Sequence, residues 1–133
     1  MKKHEIGKVI LRAVIGLTFF IHGLSKFQGG IANTVGYFDS IGIPGFIAYI
    51  VAVIELIGGI ALVLGIGTRI VTLLFALIMI GAIFTAKLSL GFLGNGQMAG
   101  YELEIILLAA SNYFIFAETS AFSLDQKLFE SSN

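Results

Sequence analysis

Residues 43–66 read IPGFIAYIVAVIELIGGIALVLGI, with one charge, Glu55, near the middle. An α-helix rises about 1.5 Å per residue, so this run reaches across the ~30 Å hydrocarbon core of a bilayer. An ionised carboxylate at that depth is costly unless it is paired, protonated or wetted. Glu55 therefore calls for a partner on another helix. Ala48, Ala52, Gly58 and Gly59 lie near it at helical spacing, and small residues on one face let membrane helices approach closely. The expectation is a paired carboxylate lining a site; the plainer alternative is a neutral carboxyl buried among its neighbours.

The rest of the chain points the same way. Of 133 residues, 57% are hydrophobic and only 12% charged, with no formal net charge and a mean hydropathy of +0.99. Soluble domains carry about twice that share of charge, so the reading is an all-α integral membrane protein, a four-helix bundle in a single domain. No basic tract points to nucleic acid. Cysteine is absent, which removes disulfides, thiolate catalysis and Cys-ligated metals together. His4 and His22 are the only histidines, too few for a metal cluster. There is no haem or nucleotide motif either, since the glycines at 91, 94, 96 and 100 lie between spans rather than between a strand and a helix.

Apolar runs place the spans near 6–27, 44–66, 69–87 and 101–118. The first begins in a basic segment, but no A-x-A-like cleavage site follows it, so it reads as a helix rather than a signal peptide. Its Arg12, Gly16, Phe19, Gly23 and Lys26 share one face, which is expected to turn into the bundle because lipid disfavours Arg12. Residues 28–42 form a glycine-rich linker with an amphipathic turn through Ile31, Val35 and Phe38. Residues 65–69 form a tight glycine turn, and residues 89–100 a polar, flexible loop. Lys2, Lys3, Lys8, Arg69 and Lys127 flank one side, and Lys26 and Lys87 the other. The positive-inside rule then places both termini in the cytoplasm.

Laid out by depth, Arg12 and Glu55 are expected to pair across the first two spans. His22, Lys26, Lys87 and either Glu102 or Glu104 gather at the outer end, as a polar pocket or as structural ion pairs. His22 is the group most easily poised near neutral pH. Glu102 and Glu104 also suit a helix N-terminus, and the residues alone do not decide which of them faces inward.

Four segments then carry a family likeness: LRAVIGLTFFIHGLSKF at 11–27, IGIPGFIAYIVAVIELIGGIALVLGIGTR at 41–69, YELE at 101–104 and SAFSLDQKL at 120–128. In this order they resemble the DoxX family of small four-helix membrane proteins, mostly bacterial, with a firmer local likeness to members associated with catechol and hydroquinone stress in Gram-positive bacteria. The resemblance implies a multi-pass protein of the bacterial plasma membrane linked to oxidoreductase complexes that handle thiol or quinone stress. Three functions fit. One is a redox-associated protein holding a quinone or similar aromatic molecule between its helices. Another is a small transporter with a proton-linked Glu55. The third is a non-catalytic anchor for soluble oxidoreductases. On the first, His22 and Glu55 are the catalytic candidates, and Arg12, Lys26, Lys87 and Glu102 bind substrate. A quinone or a partner protein would carry the electrons. Four spans enclose little, so a homo- or hetero-oligomer is expected.

Overall fold

Glycines punctuate the chain, and the apolar runs between them fold as helices. The computed structural model describes residues 2–117 and 123–129. In chain order these form α1 (Lys3–Gln28), α2 (Ile31–Ser40), α3 (Phe46–Leu64), α4 (Thr68–Ala82), α5 (Glu102–Phe116) and α6 (Leu124–Phe129). A π-helical turn, Ile83–Lys87, and a 3-10 turn, Leu88–Leu90, carry α4 onward. The stretches Lys3–Gln28, Phe46–Leu64 and Thr68–Leu90 are each long and apolar enough to cross a membrane. α5 has 15 residues, about 22 Å, and completes the bundle by packing along α4. The end assigned to the fourth span, Glu118, lies outside the described residues.

Small residues decide which helices touch. α1 runs antiparallel to α3 with the backbones in contact. A β-carbon on Gly23 would fall 2.5 Å from the Leu56 nitrogen, and one on Gly59 would fall 2.5 Å from the Phe20 nitrogen. Ala48 and Ala52 lie fully buried. This is the close-packed face that the sequence marks around Glu55. The α1–α3 pair then meets the α4–α5 pair through Phe19 and Phe75, whose rings stack at 3.8 Å and 15°. Gly58 makes room for that stack, because a β-carbon there would press on the Phe75 ring. Ile15, Leu62, Met79 and Leu107 complete the core.

The two ends of the bundle differ. At one end α3 turns into α4 through Gly65 and Gly67, both in the left-handed region (φ 75° and 58°) that glycine enters without steric cost. α6 clasps this turn. The Asp125 N–H donates to the Gly65 carbonyl at 2.8 Å. The Asp125 carboxylate accepts the Gly67 and Thr68 N–H groups at 2.7 and 2.9 Å, so an acidic side chain satisfies the electropositive start of α4. At the other end, α2 lies beside α3 and the segment after Leu90 returns to α5. That segment, expected to be a flexible loop, is folded on itself. Asn95 Oδ1 accepts the Gln97 and Met98 N–H groups, and the Gly91 and Phe92 carbonyls accept the Tyr101 and Glu102 N–H groups.

Candidate functional site

The α1–α3 register determines the partner of Glu55. Gly16 lies against Gly59 and Val63, and Gly23 against Ala52 and Leu56. Lys26 follows Gly23 by about one turn, and helical side chains tilt toward the N-terminus, so its chain reaches back to Glu55. Lys26 Nζ donates to Glu55 Oε1 at 2.6 Å, with the glutamate side chain only 4% exposed. The expected Arg12–Glu55 pair is therefore corrected. Arg12 precedes Gly16 by a turn and lies against Gly65, whose β-carbon would sit 3.2 Å from its guanidinium. Gly65 is ten residues beyond Glu55, about 15 Å along the helix. Arg12 is buried within electrostatic reach of Asp125, at the clasped end of the bundle.

A second ion pair bridges the π-helical turn and α5. Lys87 Nζ donates to Glu104 Oε2 at 2.8 Å. The buried stripe of α5 is Glu104, Leu107, Ser111 and Phe114, spaced 3-4-3. Glu102 is two positions off that stripe and exposed, so Glu104, and not the Glu102 singled out from sequence, is the glutamate that faces the bundle interior. Glu104 is buried, and among the described residues its Oε1 has no hydrogen-bond partner.

Both pairs line one cavity of about 740 Å³ between the two helix pairs at the end away from the clasp. Its walls are apolar, with Ile47, Ile50 and Ile54 from α3 and Leu74, Leu77 and Ile78 from α4; α2 adds Asn33, Thr34, Tyr37 and Phe38. Leu74 and Leu77 are themselves exposed, and they lie near the middle of α4. The cavity is therefore a groove that opens sideways toward the lipid between α3 and α4.

His22 also lines the groove. Its Nδ1 lies 2.7 Å from the Thr18 carbonyl. A carbonyl can only accept, so Nδ1 carries the proton and Nε2 of the neutral ring is left as a proton acceptor. Of the six residues singled out from sequence, His22, Lys26, Glu55 and Lys87 thus converge on the groove, whereas Arg12 and Glu102 do not. The amphipathic turn expected through Ile31, Val35 and Phe38 forms α2, and these residues are half-buried together with Thr34; that α2 would line the groove was not part of that expectation.

An all-helical membrane bundle with two ion pairs facing a lipid-open groove defines a small multi-pass membrane protein with an internal polar site. The chain belongs to the DoxX family, whose model matches residues 7–88. It is 46% identical over 129 residues to the protein named "Putative oxidoreductase CatD" of Bacillus subtilis (strain 168), covering 97% of this chain and 92% of that one. It is 30% identical over 123 residues to the inner membrane protein YqjF of Escherichia coli (strain K12), covering 86% and 94%. An uncharacterized membrane protein of Mycobacterium tuberculosis, Rv3486, is 29% identical over 130 residues, covering 90% and 80%. No solved structure matches the chain.

Proposed function

We propose that this protein is the membrane component of a redox system and holds a lipid-soluble aromatic molecule of the quinone type in the groove. The observation that carries this reading is the joining of apolar walls, a lateral opening to lipid, and two lysine–glutamate pairs beside His22 in one cavity of about 740 Å³. Ligand pockets of this size are mostly apolar with a few converging polar groups. The aromatic ring would lie among the isoleucines and leucines, and its oxygens would face the charged end.

Interconversion of a quinone and its hydroquinone moves two electrons and two protons. The chain's own residues serve the proton part. His22 Nε2 is an acceptor fixed by the Thr18 bond, and Glu55 and Glu104 are carboxylates next to ammonium groups. General acid–base transfer needs groups poised near the operating pH, and imidazole is such a group. The two electrons would be exchanged with a soluble oxidoreductase partner docked at the membrane, which takes them up when the bound ligand is the hydroquinone and supplies them when it is the quinone. The protein of Bacillus subtilis that carries an oxidoreductase name supports placing this chain in such a system.

His22→Ala tests the reading. His22 is half-buried and, among the described residues, its ring hydrogen-bonds only to Thr18 of its own helix, so folded yield should stay near that of the wild type. Binding of a lipid-soluble benzoquinone should weaken, and cells should lose protection against catechol or hydroquinone. Normal yield with full binding and full protection would remove His22 from the mechanism.

A further inference from the structure

Resting on that reading, we infer that the groove selects the reduced, hydroxyl-bearing form of its aromatic ligand through Glu104, which serves as the acceptor for a ligand O–H. His22, Lys26, Glu55, Lys87 and Glu104 line the groove and bear on the preference. The ammonium groups of Lys26 and Lys87 keep N–H donors beyond those used on the carboxylates, but their side chains are 22% and 27% exposed. Those donors can reach water, so giving them to a quinone carbonyl exchanges one hydrogen bond for another with small net gain. Glu104 Oε1 differs. It is enclosed, it belongs to a carboxylate, and among the described residues it has no donor, a condition that carries the full desolvation penalty.

Glu104 lines the groove. Exchange of its two oxygens leaves the same position enclosed, so the side chain must swing toward the cavity that it lines for the unpaired oxygen to meet a donor arriving there. A hydroquinone supplies that donor and a quinone does not. His22 adds a second acceptor in the same groove, because its proton sits on Nδ1. Sites built to receive a hydroxyl discriminate strongly against analogues that lack it, because the buried polar group is then left unpaired.

The test uses the full chain in lipid nanodiscs, with empty nanodiscs subtracted, and three probes of one shape: tert-butylhydroquinone, its dimethyl ether and tert-butyl-1,4-benzoquinone. The hydroquinone is expected to bind about tenfold or more tighter than either of the others, the scale of a hydrogen bond to a charged group. Glu104→Gln replaces an acceptor-only group with an amide that also donates, and should reduce that preference to about threefold or less, or invert it. Glu102→Gln, on the exposed side of the same helix, should leave it intact. Equal binding of all three probes to the wild type overturns this inference while leaving the groove reading in place. Binding of none overturns both. A Glu104→Gln protein that keeps the tenfold preference removes Glu104 from the selection. If that variant does not fold, the wild-type ranking decides, since a diol no tighter than its ether contradicts the inference.

Discussion

Lys26 Nζ and Glu55 Oε1 lie 2.6 Å apart, and this contact ties the end of α1 to the middle of α3. It exists because Gly23 lets the two backbones meet. A chain that could not approach so closely would leave Glu55 without its partner at a depth where solvation is poor. The pair thus joins a packing device to a polar one.

Breaking one side of the pair should cost more than removing both. Single changes Lys26→Met and Glu55→Gln are expected to lower the thermal midpoint in detergent more than the double change implies. A coupling of about 1–3 kcal/mol is expected, toward the low end because Lys26 is partly solvated. Arg12→Met combined with Glu55→Gln should be additive, since about 15 Å of helix separates them. Coupling between Arg12 and Glu55 of the same size as that for Lys26 would contradict the register.

The clasp at the opposite end gives a second expectation. Asp125 caps α4 through two charge-assisted hydrogen bonds, so Asp125→Ala should destabilise the bundle by about 2 kcal/mol. The effect should appear in thermal unfolding without changing ligand binding in the groove. Unchanged stability would show that the Asp125 carboxylate contributes nothing to the turn.

Much of this was legible from residues 43–66. A run of that length with one carboxylate and four small residues nearby specifies a spanning helix, its close-packed face and the need for a charged partner. The identity of the partner was not legible. Depth along each span was read from sequence, but the relative offset of α1 and α3 is set by which glycine meets which turn, and that emerges only from packing. Glu102 and Glu104 failed to separate for a related reason. In a bilayer the lipid-facing and packed faces are both apolar, so hydrophobic periodicity does not mark the inside of α5. Only Ser111, buried on the same stripe, hinted at it. The groove itself depends on α2 folding against α3, a tertiary event in a segment whose glycines favour a linker reading.

The start of α1, the α3–α4 turn and α6 share one end of the bundle, and residues 91–100 lie at the other. From the distribution of Lys and Arg we propose that the first end faces the cytoplasm. Reporter fusions at the C-terminus and at Asn95 should therefore report opposite sides, with the C-terminal one cytoplasmic. Both on one side would contradict the fold, and a reversed pair would contradict the charge argument alone.

The central claim is that the groove between α3 and α4 is where a lipid-soluble aromatic ligand sits, and photoaffinity mapping tests it most directly. A tert-butylhydroquinone derivative carrying a diazirine would be activated on the protein in lipid nanodiscs, and the labelled residues read by peptide mass spectrometry. Labelling should concentrate on Tyr37, Ile54, Ile78 and Glu104, which line the groove, and should fall when unlabelled tert-butylhydroquinone competes. Labels spread over the exposed residues Phe46, Ile57, Ile70 and Phe84, with no competable enrichment in the groove, would contradict the account.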